Sequence, residues 1–311
     1  MGPSRSTFSS QRPPEKLREM VEKAEGKASE AAFGGELADT LVDLLAKVNG
    51  RDVELVRARL ESIKSSLCEE LEGTFDHFYG GSVAKHTYVD GLSDIDCLMV
   101  INDTELEGKN PQRALEKVEG ILKESLEEEA QVSHGHMAVT VEYQDGMVIQ
   151  LLPALKTSGP HIHVPSRDDD WSKIDPVAFQ AELTKRNQQC GGKLIPTIKL
   201  AKAIVGQLPA PQTLTGYHME SLAIAAFRDY YGERTTSAML PVFFERAKDL
   251  VLSPIKDRSG QSIHVDEYLG PANSEERQVA SHLLGRIGRR MKNATASASI
   301  AQWQALFGED E

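Results

Sequence analysis

Residues 80–101 read Gly80-Gly81-Ser82-Val83-Ala84-Lys85-His86-Thr87-Tyr88-Val89-Asp90-Gly91-Leu92-Ser93-Asp94-Ile95-Asp96-Cys97-Leu98-Met99-Val100-Ile101. The run from Ile95 to Ile101 is short and almost wholly apolar, which predicts a buried strand. Strand alternation sends residues two apart to one face, so Asp94 and Asp96 point the same way. Two carboxylates at the mouth of a buried strand repel each other and are costly to desolvate. A divalent cation relieves that cost, and hard oxygen ligands suit Mg2+, or Mn2+, held together with substrate phosphates. Upstream, Gly80 and Gly81 let the backbone approach a ligand closely. Ser82 can then offer its hydroxyl and neighbouring amides to a phosphate. Either half alone is an ordinary turn or a solvated acidic pair; their spacing makes the combination specific.

Working outward, Val139 to Gln144 and Met147 to Leu152 read as a hairpin about Asp145-Gly146, taken as a two-residue turn. Counted from that turn, Gln144 faces Met147 and Val141 faces Gln150. Glu142 then pairs with Ile149 and points away from the Gln150 face. Asp145 lies in the turn, more than about 10 Å along the strand from Gln150. Further on, Lys199 and Lys202 stand three apart on a predicted helix and share a face. On spacing alone that is a solvated helix surface.

The chain resembles the nucleotidyltransferase superfamily of the DNA polymerase β type, in which a Gly-Ser turn precedes a paired-carboxylate strand. Gln150-Leu151-Leu152-Pro153-Ala154 sits where those proteins carry an Asp-hydrophobic-hydrophobic-Pro-Ala strand end. Pro196-Thr197-Ile198-Lys199-Leu200-Ala201-Lys202 is similar to the helix that offers lysines to a donor triphosphate. Thr215-Gly216-Tyr217-His218-Met219-Glu220 resembles the Ser/Thr-x-Tyr-x-x-Glu segment of bacterial relatives of cyclic GMP–AMP synthase and oligoadenylate synthase, the CD-NTases. The resemblance spans about residues 75–230.

That resemblance implies an α+β fold: a polymerase β-like core with a mixed sheet, then a C-terminal helical lobe, with the active site in the cleft between. It implies an enzyme that makes a cyclic di- or trinucleotide second messenger from NTPs, ATP among them, in anti-phage (CBASS) defence. Asp94 and Asp96 would hold the metal, and Gly81 and Ser82 the β- and γ-phosphates. Lys85, Thr87, Lys199, Lys202, Thr215 and Tyr217 would contact nucleotide, Tyr217 by stacking on a base. A regulatory or effector protein from the same operon is the implied partner. One departure matters: the family's third metal-binding carboxylate falls at Gln150, whose amide coordinates metal but carries no charge and accepts protons poorly. Two alternatives therefore stand beside the cyclase. One is another nucleotidyltransferase with a linear product or a non-nucleotide acceptor; the other is a catalytically silent nucleotide-binding protein.

The 311 residues carry a net charge of −12. That argues against a general nucleic-acid binder, since such affinity comes from Lys and Arg on phosphates. No run approaches a membrane span, and the N-terminal residues lack an apolar signal region. Cys68, Cys97 and Cys190 lack metal spacing, and a reducing cytoplasm fits them. The sequence divides into a flexible N-terminus over 1–16, N-terminal helices with a nucleotidyltransferase core over 17–165, and a helical domain over 166–311. Helices are expected from Leu37 to Val48, and along the stripe Val56, Leu60, Ile63, Leu67 and Leu71. Another is capped by Asn110-Pro111, and one begins at Asp175-Pro176. Pro153 is expected to close the sheet region. His134-Gly135-His136 and His161-Ile162-His163 lack a second pair of ligands at zinc spacing and read as surface histidines. His264, Asp266 and Glu267 read as a solvated or structural polar loop.

Overall fold

The computed structural model describes residues 14–50, 53–71, 74–78, 95–102, 110–156, 162–166, 170–209, 214–257 and 264–309. Helices α1 (Pro14–Lys47) and α2 (Val53–Glu70) precede strands β1 (Thr74–Phe78) and β2 (Ile95–Asn102). Helix α3 (Pro111–Ser125) leads into β3 (Ala130–His134), β4 (Val139–Tyr143), β5 (Val148–Lys156), β6 (Ile162–Pro165) and β7 (Trp171–Ile174). The remainder is helical: α4 (Pro176–Gln189), α5 (Leu194–Gly206), α6 (Gly216–Ala226), α7 (Thr236–Leu250), α8 (Glu275–Ala296) and α9 (Ile300–Gln304). Short 3-10 turns cover Glu267–Leu269 and Ala305–Phe307.

The strands form one mixed sheet in the order β1-β2-β5-β4-β3, with β6 pairing β5 and β7 pairing β6. β2 and β5 run parallel, and the other pairings are antiparallel. One sheet face buries Ile95, Cys97, Ile149 and Leu151 against α2 and α3. α2 contributes the expected stripe, Val56, Leu60, Ile63, Leu67 and Leu71, all buried. α3 begins as its sequence predicts: Asn110 accepts a hydrogen bond from the Gln112 N–H, and Pro111 takes the first turn, where a missing donor costs nothing. The opposite face carries a smaller core of Leu98, Val100, Ala154, Ile162, Val164 and Ile174. A third core fills the helical lobe, and Leu37, Leu41 and Leu44 of α1 belong to it.

Three expectations are corrected. α1 does not begin at Leu37 but at Pro14. Its first half is exposed, and Glu, Lys and Ala sustain the helix there by intrinsic propensity without a buried face. Pro153 does not close the sheet: β5 continues to Lys156, with Pro153 opposite Met99, and β6 and β7 follow. The β4–β5 hairpin has a three-residue loop, Gln144-Asp145-Gly146, flanked by Tyr143 and Met147. The Tyr143 N–H donates to the Met147 carbonyl at 2.9 Å and the Gly146 N–H to the Tyr143 carbonyl at 2.9 Å. Only Gly146 takes a left-handed conformation (φ 85°), so the loop is not a two-residue turn with positive φ at both positions. The register moves by one: Thr140 faces Gln150, Val141 faces Ile149 and Glu142 faces Val148.

Candidate active site

The parallel register of β2 and β5 sets Asp96 directly beside Gln150, between the pairs Ile95–Ile149 and Cys97–Leu151. Because those flanking residues are buried toward α2 and α3, Asp96 and Gln150 occupy the other face. The row continues across β4 and β3 through Thr140 and Ser133. Further along the strands, Leu98, Leu152, Val100 and Ala154 run into the smaller core. A polar row thus lies at the N-terminal mouth of a buried apolar patch. Of the residues singled out in sequence, Gly81, Ser82, Lys85, Thr87 and Asp94 lie outside the described residues, and Asp96 is described through its strand position.

The corrected register changes where the other carboxylates stand. Glu142 is not on the opposite face from Gln150. It shares that face, exposed and one diagonal step away, a separation of about 7–8 Å. Asp145 remains in the loop, where Arg59 of α2 donates to it at 3.0 Å and the Met147 N–H at 3.1 Å. The Arg59 hydrogen bond holds its carboxyl below the usual range. Among the described residues no three His, Cys, Asp or Glu side chains converge on a metal position. The oxygen chemistry of the Asp96–Gln150 pair nevertheless suits a hard divalent cation, with one charge fewer than a row of acids. Of the histidine pairs, His134 Nδ1 meets Glu119 Oε2 at 2.6 Å, and His163 stands on β6.

A second set of polar groups gathers where α5 meets the start of α6. α6 begins because the Thr215 hydroxyl accepts the His218 N–H at 3.2 Å, capping the first turn. Tyr217, in that turn, donates its hydroxyl to buried Asp257 at 2.7 Å and lays its ring against Phe179, with centroids 4.6 Å apart. One turn later Glu220 points inward. Lys202 of α5 donates to Glu220 Oε1 at 2.7 Å, with side chains 6% and 1% exposed. The Thr-x-Tyr-x-x-Glu spacing therefore has a physical reading: cap, aromatic, then an inward acid one turn on. Gly216 keeps that end narrow, because a Cβ there would stand 3.2 Å from Lys202 Nζ.

Lys199 and Lys202 do not share a solvated surface. Lys202 is buried on Glu220, and Lys199 is half-buried with its ammonium donating to Asn49 at the end of α1. Burial, then the charge of Lys202, lowers the Lys199 pKa.

Beneath the α6 turn lies a charged network of which the sequence showed only the loop residue. His218, Asp266 and Arg277 are fully buried. Arg277 of α8 donates to Asp266 Oδ2 at 2.7 Å, to the Val251 carbonyl at 2.9 Å and to the Gly270 carbonyl at 3.0 Å. Asp266 is thus structural rather than solvated. Arg277 was legible in one respect: it occupies the apolar stripe Ala280, Leu284, Ile287, Met291 of its own helix, a place where an unpaired arginine is not tolerated. Asp257 and Tyr268 had no such signal.

Residues 36–187 match the family described as Second Messenger Oligonucleotide or Dinucleotide Synthetase domain. Among curated proteins no sequence matches. Among solved structures, CdnC of E. coli MS115-1 with ATP is similar at TM-score 0.66 and 16% identity, over 88% of this chain and 98% of that one. The same protein in complex with HORMA-deltaN is similar at TM-score 0.66 and 15% identity, over 86% and 96%. The CD-NTase CdnG of Bradyrhizobium diazoefficiens in complex with GTP is similar at TM-score 0.65 and 15% identity, over 88% and 95%. The cyclic AMP-GMP synthase DncV of Vibrio cholerae is similar at TM-score 0.63 and 12% identity, over 93% and 91%.

Proposed function

For a chain that belongs to the second messenger synthetase (CD-NTase) family of nucleotidyltransferases making cyclic oligonucleotides, we propose that it condenses NTPs, ATP among them, into a cyclic di- or trinucleotide. A ribose hydroxyl of one nucleotide attacks the α-phosphorus of another in line, and pyrophosphate leaves. The observation that carries this reading is the register pairing of Asp96 with Gln150 in the polar row at the mouth of the smaller core.

The family implies a divalent metal; Mg2+ or Mn2+ held by Asp94 and Asp96 would neutralise charge developing on the phosphoryl oxygens. Gly81 and Ser82 take the donor β- and γ-phosphates, with Lys85 and Thr87 nearby. Thr215 and Tyr217 meet the nucleotide at the start of α6. Lys199 adds charge toward the triphosphate, and Lys202, neutralised by Glu220, contributes mainly through shape. Tyr217 offers its ring to a base. Gln150 positions rather than deprotonates, so the attacking hydroxyl is activated by fewer negative ligands. A silent nucleotide-binding role is the less favoured reading, because the remaining motif is intact.

The setting is a cytoplasmic anti-phage (CBASS) system. A regulatory protein encoded nearby is the corresponding partner, by analogy with the E. coli neighbour solved with HORMA-deltaN. The catalytic core, whose sheet runs on to β7, and the helical lobe, which takes in the second half of α1, enclose the cleft. No described helix is long and apolar enough to cross a membrane.

The test is product formation from α-labelled ATP, GTP, CTP and UTP with either metal. It uses the chain, Gln150→Asp, and the double variant Asp94→Ala/Asp96→Ala. A phosphatase-resistant product that the double variant abolishes supports the proposal. Linear products, or no product from either the chain or Gln150→Asp, overturn it.

A further inference from the structure

The start of α6 is tied to Tyr268 as well as to Asp257. The backbone N–H of Thr215 precedes the helical hydrogen bonds and donates to Tyr268 Oη at 3.3 Å. The same oxygen lies 2.8 Å from His218 Nδ1. His218 is fully buried, and burial drives its pKa down to about 4, so the ring is neutral near pH 7 and carries a single proton. Its Nε2 faces Asp266 Oδ2 at 3.5 Å, a carboxylate that only accepts. Nε2 makes no hydrogen bond, but the charge of that carboxylate favours the proton on this nitrogen over Nδ1. His218 Nδ1 then accepts from the Tyr268 hydroxyl, whose free lone pairs accept the Thr215 N–H. Asp266 is fixed in turn by Arg277 and by the Ile255 N–H at 3.0 Å.

We propose that Tyr268 is a positioning residue, its phenol oxygen tying the Thr215 N–H to the buried His218–Asp266–Arg277 chain. The tie sets the first turn of α6, and with it Thr215 and Tyr217, at the place where a nucleotide is received. The inference rests on the proposed reading of that turn as a nucleotide site. Tyr268 is 40% exposed, so its ring is not a core element whose loss would unfold the lobe. Phenylalanine preserves the ring and removes both hydrogen bonds.

The experiment compares the full chain with Tyr268→Phe and Tyr217→Ala. Binding of α,β-methylene analogues of the four NTPs is measured, alongside KM, kcat and amide exchange at Thr215. Tyr268→Phe is expected to weaken analogue binding about threefold to tenfold, the span of one lost hydrogen bond. KM rises in parallel, kcat changes little, and the Thr215 amide exchanges faster. A purely structural role would lower the thermal midpoint and leave binding by the folded protein unchanged; that result overturns the inference. So does Thr215 exchange equal to that of the unaltered chain. If Tyr217→Ala weakens binding and Tyr268→Phe does not, this inference falls alone. If the unaltered chain binds none of the analogues, the nucleotide reading falls with it.

Discussion

Lys202 and Glu220 face each other at 2.7 Å from adjacent helices, almost sealed from solvent. Two such charges are tolerable only together, because removing one leaves the other desolvated beside no opposite charge from its facing helix. Glu220→Gln should cost about 3–5 kcal/mol, read as a lower urea midpoint for the helical lobe. Replacing both, as Lys202→Met with Glu220→Leu, should recover most of that loss while nucleotide turnover stays impaired. Equal instability in the single and double variants would contradict the pairing argument.

Gly216 separates two effects that usually travel together. Alanine is the better helix former by about 1 kcal/mol, yet its Cβ would press on Lys202 Nζ at 3.2 Å, a group already pinned by Glu220. Gly216→Ala should therefore leave the unfolding free energy, read from urea denaturation, within about 1 kcal/mol of the parent. KM for the donor nucleotide should still rise severalfold, and the two measurements on one preparation check it.

His218 makes stability fall toward acid pH. Its folded pKa of about 4, depressed mainly by burial and also by Arg277, lies below the ordinary 6.5. Asp266 opposes that shift. The unfolded chain thus takes up a proton that the folded chain refuses. Stability should be full above about pH 6.5, decline as pH falls toward 4, and lose up to about 3 kcal/mol from this group. Urea midpoints at pH 7.5 and pH 5 should differ more for the parent than for His218→Asn.

The β4–β5 loop tests backbone strain in isolation. A Cβ at Gly146 would meet nothing within 4 Å, but φ is +85°. Gly146→Ala should cost about 1–2 kcal/mol through conformation alone, and Gly146→Asn less, since asparagine accepts left-handed geometry more readily. Chemical denaturation of the three proteins orders them.

How far the fold was legible depended on the kind of signal. The stripe from Val56 to Leu71, the Asn110-Pro111 cap and the apolar run after Asp94 are local patterns, and each reappears as an element. The hairpin register was misread because Asp145-Gly146 looks like a two-residue turn, whereas the Asp145 side chain caps the Met147 N–H and lengthens the loop by one. A slip of one residue moved Glu142 to the face of Gln150. In the candidate site, the Thr-x-Tyr-x-x-Glu spacing was readable and its inward acid was not, since Glu220 acquires its meaning only from Lys202. Asp266 and Arg277 meet across the helical lobe, and a charged residue in a polar loop gives no hint that it will be buried.

α1 also has a consequence in time. Leu37, Leu41 and Leu44 share their core with residues from Phe179 to Phe307, whereas the described residues of the core behind the sheet run from Val56 to Leu151, with Leu155 and Trp171 packed at its margin. On a chain emerging from the ribosome, the sheet with α2 and α3 can collapse while α1 still has no partner. The first helix to be made waits for the last ones. Its leucine stripe is the surface a chaperone would meet first, and mutations that weaken α9, which packs on α1, would leave α1 stranded although the two lie far apart along the chain.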